Sequence, residues 1–122
     1  TLLLARGNSV ARIIEGGDDD MGRWSYIRMA ARGNRVVSIV MAYQPCDVRG
    51  TPKGKFTVHA QQTSILREKY MNDPGPNPRK YFRKDLMSFL KSLKAKGDDL
   101  IVLGDFNEAL GNDPAGMSKI CR

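Results

Sequence analysis

Asp98-Asp99-Leu100-Ile101-Val102-Leu103-Gly104-Asp105-Phe106-Asn107-Glu108 is the stretch on which the reading of this chain turns. Four large apolar residues in a row, Leu100 to Leu103, follow two aspartates and the end of a helical pattern. They predict a short strand covered on both faces. Gly104 lets the backbone turn or approach another group closely. Asp105 and Asn107, two apart, point the same way if the chain stays extended. A carboxylate and a carboxamide at the carboxyl end of a central strand stand where α/β folds keep their sites, but an ordinary Asp/Asn turn accounts for the same residues equally well. The surroundings must separate the two readings.

Upstream, Phe82, Leu86, Phe89, Leu90 and Leu93 recur at spacings of three and four. They form the apolar stripe of a helix that Asn77 caps, Pro78 opens and Gly97 closes. Arg79, Lys80, Arg83, Lys84, Lys91, Lys94 and Lys96 fall away from the stripe, with Asp85 as the main counterweight, and are expected to face solvent. Helix then buried strand is one α/β step. Asn72 to Pro78 is a firm break. Before it, Val58 to Met71 reads as a helix with Ala60, Ile65, Leu66 and Tyr70 on a partial apolar face. His59, at the start of that helix, has a surface or capping role. Asp47 to Phe56 is a Gly-, Pro- and Lys-rich loop with Arg49, Lys53 and Lys55 available to meet phosphates. Ala109 to Met117 is a loop beyond the strand's end.

Nearer the amino terminus, Ser9 to Glu15 reads as a strand around Val10, Ile13 and Ile14, broken by Gly16-Gly17-Asp18-Asp19-Asp20. That acidic turn fits a solvated hairpin loop better than a metal site, since it lacks the calcium-loop pattern that fixes several oxygens. Gly22 to Ala30 alternates like a half-buried strand, Gly33-Asn34 supplies turn residues, and Val36 to Tyr43 is a second, more apolar strand, giving an antiparallel hairpin. Pro45 forces its predecessor to be extended and ends the ladder, fixing Tyr43 at a strand end. Its hydroxyl there can donate to a phosphate oxygen or simply lie in water.

The chain has 122 residues, room for one small domain, and 41% hydrophobic content, enough for a core. It starts on apolar residues without an initiator Met and ends at Ile120-Cys121-Arg122, so both ends are expected to be cuts through a longer domain. The opening apolar run is too short to span a membrane and no signal peptide is legible, which predicts an intracellular protein, nuclear or cytoplasmic, with no membrane partner. Cys46 and Cys121 are far apart and are expected to be free thiols. A net charge of +7 points to a polyanionic partner, with a basic surface serving solubility as the competing account.

Three features, in this order, carry a resemblance: Gly22-Arg23 opening a strand, Val36 to Pro45 ending in Tyr-x-Pro, and Leu100 to Asn107 ending in Gly-Asp-Phe-Asn after a helix. Together they resemble the endonuclease/exonuclease/phosphatase superfamily, which includes apurinic-site endonucleases, pancreatic-type deoxyribonucleases, the endonuclease domains of non-LTR retrotransposons and several lipid phosphatases. The details look most like the retroelement-type or uncharacterised eukaryotic members. The resemblance implies an α/β (α+β) fold, part of a four-layered β-sandwich flanked by helices with mostly antiparallel or mixed sheets, of which residues 1–122 would be the central portion. It also implies a magnesium- or manganese-dependent phosphodiesterase, here a DNA endonuclease. In this chain Asp105 matches the aspartate that activates the attacking water or otherwise takes part in proton transfer, Asn107 the residue that orients the phosphate or metal-bound water, and Tyr43 the tyrosine that touches the scissile phosphate. Asp105 and Asn107 would be this chain's share of the metal site. The family's amino-terminal Asn, its metal-binding Glu and its late Asp-His pair match no segment here, so the chain by itself is expected to be inactive. An inositol-phosphate or phospholipid phosphatase of the same fold, and an inactive nucleic-acid-binding relic, are the alternative functions.

Overall fold

The computed structural model describes residues 1–47, 54 and 56–108. Most of the expected loop from Asp47 to Phe56, with Arg49, Lys53 and Lys55, lies outside the described residues, as do the expected loop from Ala109 to Met117 and Cys121. The described chain is mixed α and β. A 3₁₀ helix over Gly7–Arg12 leads into β1 (Ile13–Asp18), β2 (Trp24–Ala30), β3 (Val36–Tyr43), α1 (Val58–Lys69), α2 (Pro78–Ala95) and β4 (Asp99–Asp105). The strands form one mixed sheet in the order β1-β2-β3-β4, antiparallel across β1, β2 and β3 and parallel between β3 and β4. No helix among the described residues is long and apolar enough to cross a membrane.

The chain divides into two compact units. The first comprises Thr1–Tyr43 and Met87–Asp105, and the second comprises Gln44–Leu86 with the described residues from Phe106 onward.

In the first unit the β2–β3 hairpin turns at Gly33 (φ 73°) and Asn34 (φ 57°), two consecutive left-handed residues whose twist matches that of the strands they join. Trp24, Tyr26 and Arg28 alternate onto one sheet face, in register with Ala42, Val40 and Ser38 of β3. Phe89 of α2 packs on that face, 5.9 Å from the Trp24 ring centroid and 4.9 Å from that of Tyr26. Val40, Ala42, Leu90 and Leu93 are buried with them. Gly97 (φ 87°) closes α2, and the Asp98 N–H returns to the Leu93 carbonyl.

The opposite sheet face carries Ile27, Ile39 and Ile101 in one register row and Ser25, Met41 and Leu103 in the next. Ile101 is 45% exposed and Leu103 48%. The expectation that Leu100 to Leu103 is covered on both faces is therefore corrected: β4 is an edge of the described sheet with one face open. An unbroken apolar run contains no alternation, so it cannot say which face is covered.

The first strand is also corrected. Residues Ser9 to Arg12 belong to the 3₁₀ helix, and Gly16, Gly17 and Asp18, expected to break the strand, lie inside β1. The glycines are there for space. A Cβ on Gly17 would stand 3.1 Å from the Tyr26 ring, which leans across the paired strand, and one on Gly16 would stand 3.2 Å from the Tyr26 carbonyl.

One ionic cluster ties this sheet together. Arg28 Nε and Nη2 donate to the two carboxylate oxygens of Asp98 at 2.6 and 2.8 Å, and Nη1 donates to Glu15 at 2.8 Å. Ser38 Oγ donates to Asp98 at 2.6 Å. The Arg28 hydrogen bonds, helped by Ser38 and opposed by desolvation, hold the Asp98 carboxyl down at about 2. Hydrogen bonds from the Tyr26 hydroxyl and then Arg28 lower Glu15 as well.

In the second unit, Thr57 Oγ1 accepts from the Ala60 N–H and caps α1, which ends at Lys69, short of Met71. Asn77 Oδ1 accepts from the N–H groups of Arg79 and Lys80 at the start of α2, as the cap assignment expects. Leu66 and Phe82 are fully buried, and the rings of Tyr70 and Tyr81 stack 4.7 Å apart.

Candidate functional site

The parallel pairing of β3 and β4 brings their carboxyl ends to the same end of the sheet. The register runs from Val37 opposite Asp99 to Tyr43 opposite Asp105. Partners in register lie on one face about 4.8 Å apart across the ladder, so Tyr43 and Asp105 occupy adjacent positions on the same face. Gly104 makes this possible. It faces Ala42 with φ 146°, and a Cβ there would overlap the Ala42 carbonyl oxygen. Its role is thus the close approach of two backbones, not a turn, and the ladder continues to Asp105.

Gly22-Arg23 contributes through the backbone and one ion pair. The Tyr43 N–H donates to the Arg23 carbonyl at 2.8 Å, prolonging the β2–β3 pairing past Trp24. The Arg23 side chain, 3% exposed, forms a bidentate pair with Asp19 at 2.7 and 2.9 Å, and its guanidinium lies 4.7 Å from the Trp24 ring centroid. Burial pushes the Asp19 carboxyl up, but Arg23 and the backbone N–H groups of Arg23 and Met21 together hold it below the usual carboxylate range. The acidic turn therefore spends Asp19 on Arg23.

Asn107 is placed differently. The chain does not stay extended after Asp105: β4 ends there, and Asn107 is left-handed (φ 47°). The premise that Asp105 and Asn107 point the same way along one strand thus fails. Asn107 belongs to the second unit, where Nδ2 donates to the Gln44 carbonyl at 2.7 Å. A carbonyl accepts only, so this bond fixes which end of the carboxamide is nitrogen. Its Oδ1 accepts from Cys46 Sγ at 3.2 Å.

Around Asn107 stand two buried polar side chains, Gln44 and Arg79, and a half-buried one, Glu108, that sequence reasoning missed. Gln44, fully buried, donates through Nε2 to the Phe106 carbonyl and to Glu108 Oε1, both at 2.8 Å. Arg79, expected on the solvent side of its helix, is instead buried: Nη1 donates to the Pro45 carbonyl at 2.7 Å, and both terminal nitrogens reach the Asn107 carbonyl at 3.3 Å. Glu108 lies 3.5 Å from Arg79 and from Arg83. A helical wheel put Arg79 away from the stripe, but in the first helical turn the wheel does not register a chain passing over the helix end. Lys80, Lys84, Lys91, Lys94 and Lys96 are exposed, as expected.

Tyr43 and Asp105 are therefore brought together, and Asn107 is held in a separate hydrogen-bonded cluster. The donor set does not fit a magnesium ion by itself. Among the described residues no three His, Cys, Asp or Glu side chains group closely enough to hold a metal, and the Asn107 oxygen is already a hydrogen-bond acceptor. Comparison with protein-family models, curated proteins and solved structures returned no match.

Proposed function

We propose that this chain is the central part of a divalent-metal-dependent phosphodiesterase that cuts DNA. The observation that carries the reading is the register pairing of Tyr43 with Asp105 at the carboxyl ends of two parallel strands. Phosphodiester hydrolysis needs a base for the attacking water and donors fixed in advance on the phosphoryl oxygens. Asp105 takes the water proton, the Tyr43 hydroxyl donates to the phosphate, and the Asn107 carboxamide orients the group that it faces. Magnesium or manganese would depend on carboxylates that the described residues do not supply, and would offset charge on the phosphoryl oxygens. The net charge of +7 suits a polyanionic substrate. The open sheet face bearing Ile27, Ile39, Met41, Ile101 and Leu103 supports a second sheet there, as a four-layered sandwich requires.

The test is magnesium-dependent nicking of supercoiled DNA by the chain expressed with the residues that flank it in its gene. The extended protein nicks, Asp105→Ala lowers the rate by about 10²- to 10⁴-fold, and the 122-residue chain alone stays at background. A folded extended protein that hydrolyses inositol phosphates but not DNA would replace the nuclease with a phosphatase. One that does neither would leave an inactive relic.

A further inference from the structure

We infer that Arg79 is a positioning residue for Asn107, acting through the backbone of the two segments on which the Asn107 carboxamide depends. The inference rests on the reading of Asn107 as a phosphate- or water-orienting group. Residues Gln44 to Cys46 and Phe106 to Glu108 are cross-tied in both directions. The Asn107 Nδ2 bond runs to the Gln44 carbonyl, and the Gln44 Nε2 bond returns to the Phe106 carbonyl. Arg79 spans both segments with one planar group, meeting the Pro45 carbonyl at 2.7 Å and the Asn107 carbonyl at 3.3 Å through each of two nitrogens.

Only a guanidinium has rigidly coplanar donors enough for this; an ammonium is a point charge that cannot hold two carbonyls in a fixed plane. The clamp is itself anchored, because the Arg79 N–H is bound by the cap residue Asn77 in the first turn of α2. Asn107 is left-handed (φ 47°), a conformation that asparagine reaches more readily than other L residues, and the clamp selects it among the states open to the chain there. Gln44 points the same way. Its Oε1 is buried with no hydrogen-bond partner among the described residues while Nε2 makes two short bonds, so the nitrogen is the end that ties the segments together.

The experiment follows the Asn107 side-chain amide by NMR in the ¹⁵N-labelled chain. In Arg79→Lys and Arg79→Ala its two protons move toward the values of an unstructured asparagine and exchange with solvent about 10-fold faster or more, while the Trp24 indole signal stays in place. Lys80→Ala, at the exposed neighbouring position, changes neither. In the unmodified chain, rotation about the Arg79 Cζ–Nη bonds is slowed enough to separate the Nη protons. A folded Arg79→Lys with unchanged Asn107 amide signals, or a freely rotating Arg79 guanidinium in the unmodified chain, overturns the inference. In the flank-extended protein Arg79→Lys lowers kcat by about 10- to 100-fold with KM within about 2-fold. If the amide signals respond but the unmodified extended protein cuts nothing, the functional reading fails and the coupling of Arg79 to Asn107 stands.

Discussion

Two arginines, Arg28 half-buried and Arg79 buried, serve this chain in opposite ways. Arg28, in the sheet, is matched to carboxylates: Asp98 on two of its nitrogens and Glu15 on the third, with Ser38 on the same aspartate. Arg79, at the start of α2, spends its short bond and two longer ones on backbone carbonyls and meets Glu108 only at 3.5 Å. A guanidinium paired with carboxylates balances charge and binds strands to each other. A guanidinium bound to carbonyls dictates a backbone path. The first arrangement serves stability, and the second the placement of whatever that backbone carries.

The contrast is broken most severely at Gly104. Gly104→Ala puts a methyl into the Ala42 carbonyl, so β4 must leave the register that presents Asp105 to Tyr43 and anchors the strand following Asp98. The expected loss is about 3 kcal/mol or more from overpacking and strain, read by urea unfolding. Next comes Asp98→Asn, which leaves Arg28 half-paired and lowers the thermal midpoint by about 10 °C. Because the folded-state carboxyl sits at about 2, below its ordinary 3.8, its contribution is complete above about pH 4 and is lost as pH falls through about 2. Glu15, also lowered, fades in the same direction. The Asn variant should therefore show a flatter acid limb in a pH series of melts. The smallest effect belongs to Arg35→Ala. Its pair with Asp99, adjacent to Asp98 in sequence, is exposed at 68% and 43%, and its loss should shift stability by less than about 1 kcal/mol in the same urea assay.

Elements with their own punctuation were legible in the sequence. Asn77-Pro78 and Gly97 bound α2, Gly33-Asn34 made the hairpin turn, and Val36 to Tyr43 is β3 as read. Reading failed where a residue's role depends on a distant partner. Gly16 and Gly17 looked like a break because nothing local reveals the Tyr26 ring that needs their space. Arg79 looked solvated because the Pro45 carbonyl lies far off in sequence, and nothing local marked Asp98 as the partner of Arg28. At the site, Tyr43 and Asp105 were legible as strand ends, but their register pairing in one parallel ladder was not, because it joins segments about sixty residues apart. The Asn107 geometry was not, since a strand's period of two says nothing once the chain turns left-handed.

The parallel pairing of β3 with β4 also sets an order of events in time. The β1–β2–β3 meander joins strands close in sequence and is expected to form early, whereas the contact from Ser38 to Asp98 spans 60 residues, carries a larger loop-closure cost and is expected to form later. Tyr43 and Asp105 meet only at that last step. Refolding followed at these two residues should lag behind the hairpin, so the chain acquires its shape on one clock and its chemistry on a slower one.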